Sequence, residues 1–186
     1  MIRGKGVDVL LESLARVRTP FECLIFGDGN HRGYCEELSR KLGLSGRVQF
    51  KGYVPPAELE NFYQEASLAV VSSVWPEPFG AVGLEAMRHG LPVVAFAAGG
   101  INEWLIDREN GFLVPWMDRE EFGARVEHLL ENKILGQKLG ERGRQLLRDK
   151  FNFDQYISGL EEMFLRVINQ STQRETAVTA HGHARA

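Results

Sequence analysis

Apolar residues follow two patterns along the chain, and the two patterns alternate. Short and largely apolar runs, which are typical of buried strands, cover residues 21–26, 48–50, 68–71, 92–96 and 112–114. Apolar residues at helical spacing predict helices over residues 7–14, 30–42, 57–66, 79–89 and 101–106. Further helices are predicted near residues 118–131, 133–149 and 153–169. Strand therefore alternates with helix until a group of helices closes the fold.

This alternation predicts an α/β fold with a doubly wound parallel sheet and helices on both faces. The continuous apolar run at 68–71 predicts a strand that is covered on both faces. Residues 1–169 are expected to form one domain, and the polar, aperiodic residues 170–186 a disordered tail. Ligands of such sheets bind outside the carboxyl ends of the strands, so functional loops are expected at 27–30, 52–56, 72–80 and 97–101.

The start of the chain departs from the usual order of a βα unit. A glycine-rich basic loop leads directly into the first helix, with no strand in front of it. We therefore expect the first strand of the sheet to be missing and the domain to be truncated at its N terminus. An unfilled position in the sheet predicts marginal stability or association.

Composition narrows the class of protein. The 186 residues are 44% hydrophobic and 25% charged, and the net charge is −3, which is ordinary for a globular domain. The absence of a basic run argues against nucleic-acid binding. No apolar stretch approaches the ~20 residues of a membrane span, and Asp8 and Glu12 interrupt any signal peptide. With only Cys23 and Cys35, we expect free thiols and a cytoplasmic location.

The densest chemical pattern begins at Trp75 and runs to residue 95. Pro76 and Pro78 restrict the loop position of Glu77. A predicted helix follows, and its first backbone N–H groups, those of Phe79, Gly80 and Ala81, would have no partner within the helix. Together with the positive end of the helix dipole, these groups would form an anion site suited to phosphate.

A second carboxylate, Glu85, follows Glu77 inside the same predicted helix. It could accept hydrogen bonds from two neighbouring ribose hydroxyls, as acidic residues do in dinucleotide-binding folds. The alternative is that both glutamates are solvated acids, because carboxylates are common on loops and helix surfaces. Spacing alone leaves both interpretations open.

The motif Glu77–Glu85 resembles that of the retaining group 1 (family 4) glycosyltransferases, in the C-terminal domain of their GT-B fold. Pro78-Phe79-Gly80 follows the first glutamate and Ala86-Met87 the second. Other motifs in the family's order are 5–8 (KGVD), 27–29 (GDG), 50–54 (FKGYV), 90–95 (GLPVVA), 99–103 (GGINE) and 110–114 (NGFLV). The resemblance covers about residues 5 to 169 and implies the Rossmann-like half of that fold.

The resemblance implies a nucleotide-sugar donor, usually activated by UDP or GDP, and assigns roles to single residues. Lys5 matches the lysine that neutralises the donor diphosphate, and Gly4 lies beside it. Glu77 matches the glutamate that contacts the transferred sugar and has been considered for a direct catalytic role. Glu85 matches the ribose-binding glutamate. Further donor contacts are implied for Pro78, Phe79, Gly80 and Ala81 on sugar and phosphate, Val54 near the base, and Gly27 on the same rim.

The resemblance implies that the enzyme retains the anomeric configuration, and since enzymes of this kind mostly need no metal, neither a cofactor nor a metal is expected. His89 lies near a helix end, and His181 and His183 in the tail; two tail imidazoles do not provide the ligands that a metal site needs. Trp104 and Trp116 are expected in the core or at a domain interface. Gly99-Gly100 would serve either an anion site or a tight turn.

The family's N-terminal acceptor domain is absent from the sequence, which leaves several functions open. The first is the donor-binding half of a hexosyltransferase that is inactive alone. The second is a non-catalytic nucleotide-sugar-binding subunit with a separate N-terminal partner or a homo-oligomer. A truncated remnant and, more distantly, a sugar-nucleotide epimerase are the others. The resemblance is also compatible with membrane-surface association of the complete enzyme.

Overall fold

The computed structural model describes the backbone of residues 1–182 and the side chains of residues 1–169. The chain divides into two compact units, the first from Met1 to Leu147 and the second from Arg148 onward. The first unit contains the strands β1 (Cys23–Phe26), β2 (Val48–Gly52), β3 (Ala69–Val71), β4 (Val93–Phe96) and β5 (Gly111–Val114). Its helices are α1 (Val7–Leu14), α2 (Arg32–Lys41), α3 (Pro56–Glu65), α4 (Ala81–Arg88) and α5 (Arg119–Glu131), and α6 (Lys133–Lys150) begins in it.

All strand pairs are parallel, as the alternating pattern predicts, but the strands form two sheets. One has the order β1-β2 and the other the order β3-β4-β5. A doubly wound sheet has the strand order 3-2-1-4-5-6. The strands observed here fill every position of that order except position 1, which would lie between β1 and β3. The predicted α/β class with an unfilled first strand is thus confirmed for the described residues.

The unfilled position changes the burial of β3. The sequence predicts that residues 68–71 are covered on both faces, yet Leu68, Ala69 and Val70 are only partly buried. In β4, by contrast, all side chains from Val93 to Phe96 are buried, and successive side chains point to opposite faces. β4 therefore has cover on both faces and a strand on each side, whereas β3 has a strand on one side only.

The core of the first unit lies where α1 and α5 pack together and α5 contacts β4. Leu11 and Phe122 are fully buried there. The ring of Phe122 lies 4.6 Å from that of Phe96, centroid to centroid. Asp118 begins α5 by accepting a hydrogen bond from the Glu121 N–H, which fixes the helix start.

Two helices have bounds that differ from those predicted from the sequence. The helix expected over residues 101–106 is instead a 3-10 helix over Gly99–Glu103, and its two glycines pack against the backbone of residues 76–79. The last helix, α7, spans Phe153–Gly182 rather than ending near 169; residues 170–182 contain no proline to end it. The predicted disordered tail, residues 170–186, also includes residues 183–186, which lie outside the described residues.

The second unit is dominated by α7. Its large apolar side chains are exposed, among them Phe153, Tyr156, Phe164 and Val167. None of the helices in the described part of the chain combines the length and the apolar character needed to cross a membrane.

Candidate functional site

Hydrogen bonds join the loops at the carboxyl ends of the strands. The N–H of His31, after β1, donates to the Met1 carbonyl at 3.2 Å. The N–H of Val74, after β3, donates to the Gly4 carbonyl at 3.0 Å. The first residues of the chain therefore connect the loop after β1 with the loop after β3, at the edge where a parallel sheet binds its ligands.

The position of Lys5 depends on close contact between two backbone segments. Gly6 has a φ of +63°, and a Cβ atom there would lie 2.0 Å from the Ser72 carbonyl oxygen. Only glycine permits this combination of left-handed backbone and close approach. The Ser72 hydroxyl also donates to the Lys5 carbonyl at 3.0 Å. The backbone of Lys5 is thus fixed on the loop that follows β3.

Lys5 and Glu77 form the central ion pair of the site. The Lys5 ammonium donates to Glu77 Oε1 at 2.6 Å, and the Ser73 hydroxyl donates to the same oxygen at 2.5 Å. The Lys5 side chain is 51% exposed and that of Glu77 only 9%. The pair therefore places a buried carboxylate behind a lysine whose ammonium can reach a ligand.

The pKa of Glu77 reflects opposing influences. Burial raises it, but the hydrogen bonds from Lys5 and Ser73 and the charge of Lys5 together outweigh burial, so the pKa of Glu77 lies below its usual value. Glu77 is therefore a carboxylate at neutral pH. The alternative interpretation of Glu77 as a solvated loop acid is wrong.

The backbone around Glu77 is held from behind by the 3-10 helix. The Gly100 N–H donates to the Glu77 carbonyl at 2.7 Å. A Cβ atom at Gly99, where φ is +61°, would lie 2.3 Å from that carbonyl oxygen. The two glycines thus serve close packing, which agrees with the tight turn rather than the anion site that the sequence left open.

The segment from Pro78 to Ala81 leads from Glu77 into α4, which begins at Ala81, one or two residues later than the predicted start at Gly80 or Phe79. Pro78, Phe79 and Ala81 are exposed, and no side chain caps the helix at Gly80. The Phe79 carbonyl accepts a hydrogen bond from Trp104 Nε1 at 2.6 Å. Trp104 is fully buried, which confirms its predicted core position.

Glu85 lies exposed on α4, where it contacts α3 rather than the Lys5–Glu77 pair. The Tyr63 hydroxyl donates to Glu85 Oε2 at 3.3 Å. Burial, the negative charge of Glu85 and this hydrogen bond raise the pKa of Tyr63 to about 12. Glu85 is thus solvent-accessible, as a ligand contact requires, but it is held by a second side chain.

The remaining predicted site residues lie on the same edge of the two sheets. Gly4 is in the Lys5 loop, and Gly27 follows β1, where its N–H donates to the Gly52 carbonyl at 2.6 Å. Val54 follows β2 and is half-buried. No local sequence pattern distinguishes Ser73, which contacts Glu77, or Tyr63, which contacts Glu85, and neither was among the predicted site residues.

Two tryptophans near the site are exposed. Trp116, expected in the core or at an interface, is 60% exposed and donates Nε1 to the Val74 carbonyl at 3.0 Å, so a core position is wrong for it. Trp75, which begins the motif, is 55% exposed. Among the side chains that the structure describes, no cluster of His, Cys, Asp or Glu could hold a metal ion. His181 and His183 lie beyond those side chains.

Known proteins are similar to this chain in sequence and in fold. The model of the family described as glycosyl transferases group 1 matches residues 1–146. The lipopolysaccharide core biosynthesis glycosyltransferase LpsE of Rhizobium meliloti (strain 1021) is 34% identical over 151 residues, which is 81% of this chain and 43% of LpsE. The structure of Anabaena Alr3699/HepE in complex with UDP-glucose matches with a TM-score of 0.81 and 26% identity, over 89% of this chain and 46% of that chain.

A separately crystallised domain has the same fold. The C-terminal domain of LpcC, a glycosyl transferase group 1 family protein from Francisella tularensis, matches with a TM-score of 0.75 and 24% identity, over 82% of this chain and 83% of that chain. The chain spans less than half the length of LpsE and of Alr3699/HepE. Since the family model matches most of its length, the chain belongs to the glycosyl transferases of group 1 and has the Rossmann-like architecture of their GT-B fold.

Proposed function

We propose that the chain is the donor-binding half of a retaining glycosyltransferase, which transfers a hexose from a UDP- or GDP-activated sugar to an acceptor. The observation that carries this proposal is the Lys5–Glu77 pair, with its 2.6 Å hydrogen bond at the carboxyl end of β3 and directly before α4. A cation and a carboxylate in contact provide one partner for a diphosphate and one for sugar hydroxyls.

Lys5 is proposed to neutralise the diphosphate of the donor. The leaving diphosphate gains negative charge as the bond to the sugar breaks, and a fixed ammonium stabilises that charge most in the transition state. The half-exposed side chain of Lys5 can move from Glu77 to a phosphate oxygen because only its end is held by the ion pair. Gly4 lies beside it and packs against Trp75, since a Cβ atom at Gly4 would lie 3.0 Å from the Trp75 Cβ atom.

Glu77 is proposed to contact the transferred sugar. When Lys5 turns to the diphosphate, the Ser73 hydroxyl still donates to Glu77 Oε1 and keeps the carboxylate in place. The free lone pairs of the carboxylate can then accept hydrogen bonds from sugar hydroxyls. Departure of the nucleotide and attack of the acceptor on the same face of the sugar would retain the anomeric configuration, and positioning is the contribution of these residues.

The other predicted site residues are proposed to bind the rest of the donor. The segment Pro78, Phe79, Gly80 and Ala81 would present its backbone to sugar and phosphate at the N terminus of α4. Glu85 would accept hydrogen bonds from the ribose. Val54 would contact the base, and Gly27 would line the same rim.

Similarity to a UDP-glucose complex supports a nucleotide-sugar ligand for this chain, because Alr3699/HepE was crystallised with UDP-glucose. We propose that transfer also requires an N-terminal acceptor domain, since the chain spans less than half of that relative. Cys23 and Cys35 are free thiols, which agrees with the reducing cytoplasm as the proposed location.

A second candidate function is a non-catalytic subunit that binds the nucleotide sugar and acts with a separate partner. The exposed apolar side chains of α7, such as Tyr156 and Phe164, favour this candidate because large exposed apolar patches usually mark interaction sites. The two functions share the donor site and differ in whether a partner makes the chain catalytic.

Calorimetric titration of the 186-residue chain with UDP, GDP and their hexose conjugates tests the proposal. We expect one of these nucleotides to bind, and Glu85→Ala to weaken its binding about 10- to 100-fold, because hydrogen bonds to a charged group contribute about 1.5–3 kcal/mol. Glu65→Ala, at an exposed glutamate on α3, is the matched control and should leave affinity unchanged. A folded chain that binds none of them would contradict the proposal, and an aggregated one would indicate a remnant.

A further inference from the structure

Two hydrogen bonds from the segment 99–104 hold the backbone that follows Glu77. The Gly100 N–H donates to the Glu77 carbonyl at 2.7 Å. The indole N–H of Trp104 donates to the Phe79 carbonyl at 2.6 Å. Both carbonyls therefore point toward the segment 99–104, and the direction of the peptide groups between Glu77 and α4 is set from that side.

Trp104 is itself held at its backbone and at its ring. Its carbonyl accepts a hydrogen bond from the side-chain amide of Asn110 at 2.7 Å, and both residues are buried. Its ring packs against the start of α4. A Cβ atom added at Gly80 would lie 3.5 Å from Cζ2 of the ring, and one added at Gly83 would lie 2.0 Å from Cη2. Because a close-packed ring has little freedom, the indole N–H approaches the Phe79 carbonyl from one fixed direction.

The peptide group between Phe79 and Gly80 transmits this direction to the surface. It is trans, and in a trans peptide the C=O and the N–H point in opposite directions. Since the Phe79 carbonyl points inward to the buried Trp104, the Gly80 N–H points outward, between the exposed residues Phe79 and Ala81. Among the described residues, no oxygen accepts a hydrogen bond from the Gly80 N–H.

The residue types on either side make this peptide group special. The Glu77 carbonyl is also held from the segment 99–104, but the next residue is Pro78, which has no N–H. Gly80 has a φ of +76°, and a Cβ atom there would lie 3.1 Å from Cγ1 of Ile101, so the conformation favours glycine. Of the two carbonyls held from the segment 99–104, only that of Phe79 therefore aims an N–H outward.

We propose that Trp104 is a positioning residue of the donor site, which aims the Gly80 N–H at an oxygen of the donor diphosphate. The role rests on the proposed function, in which Lys5 neutralises that diphosphate; Lys5 pairs with Glu77, three residues before Gly80. The N–H lies at the start of α4, where the helix dipole favours negative charge. Because the indole fixes the peptide group before a ligand arrives, the N–H needs no reorientation on binding.

This role differs from a purely structural one in what it predicts. A buried indole N–H needs a hydrogen-bond partner whatever the function, so a loss of stability does not test the role. Without the indole N–H, the peptide group between Phe79 and Gly80 is free to rotate. Binding of a phosphate should then weaken, whereas binding of a nucleoside, which has no phosphate, should stay the same.

Amide-proton NMR of the full 186-residue chain tests the direction of the Gly80 N–H without any substitution. The probe is inorganic pyrophosphate, and uridine and guanosine are the phosphate-free controls. In the free chain, we expect the indole proton of Trp104 to exchange slowly with solvent and the amide proton of Gly80 to exchange rapidly. Pyrophosphate should slow exchange at Gly80 about 10-fold or more and shift its resonance downfield, and the nucleosides should do neither.

Replacement of Trp104 by benzothienylalanine tests the indole N–H, because sulphur takes its place and the shape of the ring is kept. Calorimetry should show affinity for pyrophosphate, UDP and GDP reduced about 2- to 10-fold, with affinity for the nucleosides unchanged. The response of the Gly80 amide to pyrophosphate should be lost. Trp104→Phe also lacks the N–H and should give the same result.

Two controls separate positioning from stability. Fluorotryptophan at position 104 keeps the N–H and should keep the full affinity for pyrophosphate. Phe122→Leu alters another fully buried ring, in the core between α5 and β4. It should lower the Tm but leave pyrophosphate affinity and the Gly80 response unchanged.

Several results would overturn the proposal. A Gly80 amide that is already protected in the free chain, or that bound pyrophosphate leaves unaffected, would show that its N–H does not face the diphosphate. Undiminished pyrophosphate affinity with benzothienylalanine, or an equal loss in Phe122→Leu, would show that Trp104 has a structural role only. A folded chain that binds none of pyrophosphate, UDP and GDP would instead contradict the proposed function, and the role of Trp104 with it.

Discussion

Lys5 and Glu77 are 72 positions apart in the chain, yet the ammonium of the first lies 2.6 Å from a carboxylate oxygen of the second. The backbone contact between Gly6 and Ser72 brings their loops together, and Ser73 adds a second donor to the same oxygen. This arrangement holds a buried carboxylate in its charged state before any ligand is bound. It also means that the lysine must leave the glutamate in order to bind an anion.

Lys5→Met is expected to weaken the binding of a nucleoside diphosphate more than that of the nucleoside. The methionine removes one charge-assisted hydrogen bond to the diphosphate, so affinity for UDP or GDP should fall about 10-fold or more. Affinity for the nucleoside should change little, as measured by calorimetry. Lys138→Met, at an exposed lysine of α6, is the matched control. Equal losses for nucleoside and diphosphate would contradict the role of Lys5.

The ionisation of Glu77 should make stability depend on pH. Its pKa is lower in the folded chain than in the unfolded chain, so its charged form contributes stability that is complete above the unfolded pKa, about 4.3. This contribution is lost as the pH falls through the folded value. The Tm difference between the natural chain and Glu77→Gln should therefore shrink below about pH 4. A difference that stays constant from pH 7 to pH 3 would contradict this prediction.

Tyr63→Phe is expected to weaken nucleotide binding through Glu85. The variant keeps the ring, which stacks on His89 with centroids 5.0 Å apart, and removes only the hydroxyl that donates to Glu85. The hydrogen bond to the Glu85 carboxylate is exposed, and its orientation of that carboxylate is expected to contribute about 0.5–1.5 kcal/mol to nucleotide binding, so the loss should be about 2- to 10-fold. In the Glu85→Ala background the same change should have no effect. Tyr156→Phe on α7 serves as the control and should leave nucleotide affinity unchanged. If the losses of affinity from Tyr63→Phe and Glu85→Ala add up in the double variant, Tyr63 does not act through Glu85.

Gly83→Ala is expected to destabilise the first unit. A Cβ atom at Gly83 would lie 2.0 Å from Cη2 of Trp104, which is fully buried and hydrogen-bonded to Phe79. Forcing this ring to move should cost about 1–3 kcal/mol of unfolding free energy in denaturant titration. Gly33→Ala on α2 meets nothing within 4 Å and should instead stabilise by a few tenths to about 1 kcal/mol. Equal changes in the free energy of unfolding for the two substitutions would show that the Trp104 ring moves aside without cost.

The order of strands and helices could be predicted from the sequence because it depends on local patterns. β3 lies within the apolar run at 68–71, and α3 begins at Pro56, a residue suited to the first turn of a helix. The partial burial of Val70 could not be predicted from its own segment. It depends on the neighbouring position in the sheet, which no strand of the described residues occupies.

Part of the candidate site was also predictable. The loop that carries Glu77 at the end of β3 follows from the α/β pattern, and the role of Lys5 from the resemblance. The partners of the two glutamates do not, because Ser73 and Tyr63 acquire their positions from tertiary packing rather than from spacing. For Trp116 the core alternative was wrong, because its indole N–H is satisfied at the surface by the Val74 carbonyl, whereas a domain-interface position stays a prediction.

The division of the strands into two sheets has a consequence for unfolding. In a continuous sheet, each strand is linked to all the others through one hydrogen-bonded ladder, which couples their loss of structure. Among the described residues no ladder crosses from β1 to β3, so β1, α2 and β2 are joined to the remainder by packing, by the chain itself and by single hydrogen bonds such as that from the His31 N–H to the Met1 carbonyl. Such a segment can open as a separate cooperative unit, at a lower free energy than global unfolding. The loop after β1 would then lose its order while Glu77 and α4 stay folded.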